Sequence, residues 1–106
     1  MAWIYLAIAG ALEIGWGVGL KLSEGFTQWG PTAVTVLCMI LSTVFLGLAA
    51  RDIPIGTAYA VWTGIGAAGI AVIGIVWFGE SRDALRMIFL ASIVIGTVGL
   101  KFVESE

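Results

Sequence analysis

Ala9-Gly10-Ala11-Leu12-Glu13-Ile14-Gly15-Trp16-Gly17 sets one carboxylate in a run that is otherwise apolar from Met1 to Leu20. At about 1.5 Å of helical rise per residue, Glu13 lies roughly 15 Å from Trp3, halfway through a hydrocarbon core about 30 Å thick. An acidic residue at that depth costs about 2.5–3.5 kcal/mol to insert. No other acidic residue of the sequence would sit as deep. The fold, and what this carboxylate does, are therefore linked questions.

The medium follows from composition. Of 106 residues, 60% are hydrophobic and 11% charged, where a soluble domain carries about 25% charged residues. Mean hydropathy is +1.09. Too few polar groups are available to cover a soluble surface, so lipid must solvate most of the chain. The formal net charge of −2 gives no basic footprint for nucleic acid. One cysteine, Cys38, cannot form an intrachain disulfide, and without histidine a zinc site has almost no ligands to draw on. The reading is a non-enzyme with no cofactor and no metal. A cleaved signal peptide is not expected, because a basic n-region is missing and Glu13 interrupts the apolar stretch.

Four apolar runs, at about 3–20, 31–50, 55–78 and 85–103, are separated by short polar or turn-rich breaks. Each has 18 or more residues and reads as a transmembrane helix. The first break, Lys21-Leu22-Ser23-Glu24-Gly25, leads to Phe26 and Trp29, which suit the headgroup level. Pro31 falls in the first turn of the second helix. In Arg51-Asp52-Ile53-Pro54, Asp52 is expected to cap the third helix and Pro54 to open it. Short connections imply up-down neighbours. The expected architecture is an all-α membrane protein, a single four-helix transmembrane bundle over 1–106.

The loop charges add a further expectation. The side holding both termini carries Arg51 and Lys101, and the opposite side Lys21, Arg82 and Arg86. Three basic residues against two is almost no asymmetry for orienting a membrane protein. Insertion in both orientations would let two copies pair antiparallel, creating between chains the inverted symmetry that transporters usually build by duplication. Four short helices also leave little room for an aqueous path within one chain.

Glu13 has no deep basic partner, since Lys21 and Lys101 lie near helix ends. Intramembrane ionisable residues usually mark ion or substrate pathways. A carboxylate that can hold either a proton or a cation, but not both well, is the minimal apparatus for proton–cation exchange. Most aromatic residues fall at helix ends and belong to an interfacial belt. Trp16 does not: it lies one turn beyond Glu13 on the same face. Tyr59 and Trp62 share a face of the third helix at i and i+3. These three could be packing residues, yet buried indole N–H and phenol groups need partners and aromatic faces attract organic cations. Ser42 matches the depth of Glu13, although a lone membrane serine more often bonds its own backbone.

Gly64-Ile65-Gly66-Ala67-Ala68-Gly69 matches a dinucleotide-binding fingerprint only in letters, because no strand precedes it. Clustered glycines there suit a bend in the third helix, with Gly64 and Gly66 as its hinge. Ser92, Gly96 and Gly99 form a small-residue face on the fourth helix, and Ala11, Gly15 and Gly19 another on the first.

Taken together, Glu13-Ile14-Gly15-Trp16, Lys21-Leu22-Ser23-Glu24-Gly25-Phe26 and Ile53-Pro54-Ile55-Gly56-Thr57-Ala58-Tyr59-Ala60-Val61-Trp62-Thr63-Gly64-Ile65-Gly66 resemble the small multidrug resistance family over essentially the whole chain. Trp16, Gly56-Thr57-Ala58-Tyr59 and Trp62-Thr63-Gly64 resemble its guanidinium-exporting branch. The resemblance implies an antiparallel, dual-topology homodimer in the bacterial inner membrane that exports guanidinium in exchange for protons, with Glu13 of both subunits as the shared site. It implies that Trp16, Ser42, Tyr59 and Trp62 bind substrate or orient Glu13. By the same resemblance, Gly64–Gly66 bends during transport and the fourth helix, with Ser92, Gly96 and Gly99, makes the dimer contact. Two alternatives remain: export of quaternary ammonium or other bulky cations, and a structural membrane subunit in which Glu13 is an assembly contact.

Overall fold

Each apolar run closes into one continuous helix in the computed structural model, which describes residues 1–104. The helices are α1 (Ala2–Leu22), α2 (Trp29–Ala49), α3 (Ile55–Trp77) and α4 (Ala84–Glu104). The last two residues of the 1–106 span, Ser105 and Glu106, lie outside the described residues. At 21 residues, α1 and α2 are about 31 Å long, the thickness of a hydrocarbon core. All four helices are long and apolar enough to cross a membrane.

The breaks are built from local hydrogen bonds. After α1 the buried Ser23 hydroxyl donates to the Leu20 carbonyl (2.7 Å) and accepts from the Phe26 N–H (3.1 Å). Glu24, Gly25 and Phe26 all have positive φ (48°, 72° and 68°), a tight left-handed hook that only Gly25 adopts without steric cost. The second break differs from its sequence reading. Asp52 does not cap α3; Pro54 holds the N-cap position with extended ψ of 137° and no side-chain cap. The Asp52 and Ile53 N–H groups instead donate back to the Ala49 carbonyl (3.1 and 3.0 Å), so this turn completes α2 rather than starting α3. At the third break Gly79 (φ 66°) lets the Phe78 and Glu80 N–H groups share the Gly74 carbonyl (3.1 and 3.0 Å). Arg86 then ties the first turn of α4 to Glu80 (2.8 Å) and to the Ser81 carbonyl (2.7 Å).

Packing runs α2–α1–α3–α4: α1 lies against α2 and α3, while the α4 backbone approaches only that of α3. Overall extents are 43 × 34 × 16 Å. A square bundle would have two equal short axes, so the four helices form an open slab. The core, with Leu6, Ala9, Leu46, Ile53, Ala58 and Val61, sits where α1, α2 and α3 meet. No described residue of α4 is buried. Large apolar side chains such as Leu37, Ile40, Phe89 and Ile95 are exposed, an arrangement that water would penalise and hydrocarbon accepts.

Glycine decides how closely α1 approaches its neighbours. Gly15 and Gly19 face α2, where added Cβ atoms would meet Cys38 and Thr35; Gly10 and Gly17 face α3, where they would run into Ile65 and Ile70. Ala11, grouped with Gly15 and Gly19 on sequence spacing, is exposed.

Candidate functional site

Helix α1 carries Glu13 toward α3, and the carboxyl rests on the bare backbone of Gly66. A Cβ at Gly66 would overlap the Glu13 carboxyl carbon and Oε1. Ile14 makes the equivalent approach to Gly69 one turn further along α3. The site thus begins as a packing device: two glycines three residues apart on α3 open a trough that receives consecutive side chains of α1.

Glu13 Oε2 is buried with no hydrogen-bond partner among the described residues, and so is the indole Nε1 of Trp16. A buried polar group without a partner carries a desolvation cost of about 1–3 kcal/mol, more when charged. Two such groups, one donor and one acceptor, lie one turn apart on one face of α1. A free carboxylate oxygen accepts hydrogen bonds and attracts cations; the same oxygen can carry a proton instead.

Ser42, Trp62 and Tyr59 form a second, linked set. The buried Ser42 hydroxyl donates to the Ala9 carbonyl at 2.6 Å, across the α1–α2 contact. Trp62 reaches from α3 and its Nε1–H donates to Ser42 Oγ at 2.9 Å. Tyr59 packs edge-on to Trp62, with ring centroids 5.2 Å apart and planes at 65°. Its own side is open: Tyr59 is 55% exposed and lines a groove between α3 and α4 with Thr63, Ser92 and Gly96.

Sequence reasoning placed Glu13, Trp16, Ser42, Tyr59 and Trp62 at one centre. Within a single chain, Ser42, Trp62 and Tyr59 come together, but no hydrogen bond joins any of the four to Glu13 among the described residues. The partner that the Trp62 indole N–H needs is the Ser42 hydroxyl. The link to Glu13 is indirect: Ala9, whose carbonyl Ser42 engages, lies one helical turn before Glu13 on α1. Ala9 was invisible to sequence reasoning, since a backbone acceptor leaves no side-chain signal. Gly66 was singled out as a hinge, and its place as the seat of Glu13 was missed.

Helix α3 is continuous through Gly64 and Gly66. Gly64 is also a contact point, where a Cβ would overlap Thr97 of α4. Ser92, Gly96 and Gly99 lie on exposed positions of α4, with open space beside both glycines. Among the described residues, no group of three or more His, Cys, Asp or Glu side chains could hold a metal ion.

Comparison with known proteins adds an independent line. A family model described as Small Multidrug Resistance protein matches residues 1–93. A protein named Guanidinium exporter from Escherichia coli (strain K12) is 54% identical over 101 residues, covering 95% of this chain and 96% of the relative. Proteins of the same name from Proteus vulgaris and Salmonella typhimurium are 52% identical over 101 residues, covering 95% of this chain and 97% and 96% of the relatives.

Proposed function

The chain belongs to the small multidrug resistance protein family, and we propose that it is a proton-coupled antiporter expelling guanidinium-type cations across the bacterial inner membrane. It is a multi-pass membrane protein and a transporter by family. The observation that carries the proposal is the carboxyl of Glu13, well inside α1, seated on Gly66 with Oε2 buried and unpartnered among the described residues. The names of relatives at 52–54% identity support guanidinium as the cation.

The chemistry fits. Guanidinium is planar and presents N–H pairs that match a carboxylate bidentately, as arginine side chains do. A proton and a guanidinium ion compete for the same Glu13 oxygens, so binding one displaces the other and the two flows are coupled. We place a second copy of the chain, inverted in the membrane, opposite the first, so that both Glu13 residues share the site. Trp16, Ser42, Tyr59 and Trp62 hold or orient the carboxyls around the substrate. Gly64 and Gly66 allow α3 to bend between inward- and outward-facing states, and Ser92, Gly96 and Gly99 of α4 meet the partner. No resident cofactor takes part.

The Tyr59–Trp62 pair gives a second reading some footing, because aromatic faces also attract quaternary ammonium ions. Such ions have no N–H and gain only charge and cation–π attraction. Purified protein in liposomes separates the readings: guanidinium gradients should drive proton flux at least ten-fold faster than equal tetramethylammonium gradients. Equal or reversed rates would replace the guanidinium reading with the quaternary ammonium one, and no flux with either cation would favour a structural subunit.

A further inference from the structure

Because the backbones of α1 and α4 both lean on α3 and not on each other, a furrow of about 230 Å³ opens between them on one face of the slab. Its walls are Trp3 and Leu6 of α1 and Val98 of α4, over Val61 and Ile65 of α3. One end is closed by Lys101, whose Nζ stands 5.3 Å from the Trp3 ring centroid and 5.9 Å from that of Phe102. The walls are apolar and the end is cationic. From Lys101 to Thr97 the furrow covers one helical turn, about 6 Å inward from the helix ends.

We infer that this furrow binds an anionic phospholipid, its acyl chain lying between α1 and α4 and its phosphate against Lys101. Apolar walls at this depth exclude water, and a flexible hydrocarbon chain fills an irregular slot without a directional partner. Lysine near a helix end places its charge at headgroup level, and basic pockets between membrane helices suit anionic headgroups. Lys101 forms no ion pair among the described residues; the Asp52 carboxylate lines an adjoining cleft that shares Trp3.

A second copy of the chain is a poorer occupant. At 100° per residue, Ser92, Gly96 and Gly99 point about 180° around α4 from Lys101. Pairing through those small residues leaves the furrow facing the bilayer. The inference needs only the membrane setting and does not rest on the export reading.

Native mass spectrometry of the purified full chain, mixed with dioleoylphosphatidylglycerol or dioleoylphosphatidylcholine, tests it. Wild type should retain the anionic lipid about five-fold better, the effect of one lysine near an anionic headgroup. Lys101→Gln should erase that preference while still holding lipid. Val98→Trp, or Ala7→Trp from the opposite wall if the first misfolds, should fill the furrow and lower retention of both lipids. An unchanged preference in Lys101→Gln overturns the proposal, as does undiminished retention in a folded filling variant. Weakened self-association with unchanged lipid retention in the filling variants would assign the furrow to a second copy and overturn it too.

Discussion

Glu13 and Gly66 are best understood as one unit. The carboxyl occupies space that any side chain at position 66 would claim, and overpacking of this kind costs about 1–3 kcal/mol. Gly66→Ala should insert and fold, yet show guanidinium-driven flux in liposomes reduced at least ten-fold, because the methyl pushes Glu13 out of its trough. In a Glu13→Asp background, with the carboxyl one methylene shorter, the same methyl should cost much less. Equal losses in both backgrounds would mean that Gly66 acts on the helix rather than on the carboxyl. This seat could not be read from the sequence. Spacing shows that Gly64 and Gly66 point to different sides of α3, but that one meets Thr97 of α4 and the other Glu13 of α1 depends on how those helices cross it. Position along the helix, by contrast, was legible: residue counting sets Glu13 and Ser42 well inside α1 and α2 rather than at their ends.

At the scale of elements, the helices were easy to find because lipid removes the ambiguity that soluble proteins carry. An 18-residue apolar run in hydrocarbon must satisfy its backbone internally, and helix is the local way to do so. The ends were harder. Asp52 resembles an N-cap in sequence, but the chain uses it to finish α2, and Pro54 starts α3 with no side-chain cap. Capping preference is worth about 1 kcal/mol and yields to a turn that satisfies two N–H groups on one carbonyl. The glycines show a similar limit. Gly15 and Gly19 formed a recognisable stripe, whereas Gly10 and Gly17, spaced by seven, serve the second neighbour of the same helix. One helix that packs against two others carries two interleaved patterns, and a single-face reading finds only one.

For the whole molecule, the flat outline is the informative property. A slab 16 Å thick with an unburied α4 does not enclose a pathway, and the Glu13 and Trp16 groups have no counterpart among the described residues. An inverted second copy would supply that counterpart, and the three-to-two balance of loop charges permits both insertions. Single cysteines introduced into a Cys38-free background should label from both sides of the membrane in roughly equal amounts; labelling from one side only would contradict dual topology. The central claim is narrower than the assembly, and it concerns one carboxyl shared by two ions. Its most direct test is proton flux driven by a guanidinium gradient in liposomes containing Glu13→Gln protein that inserts and self-associates as the wild type does. The expected result is flux no higher than in protein-free liposomes, and flux at the wild-type rate would contradict it.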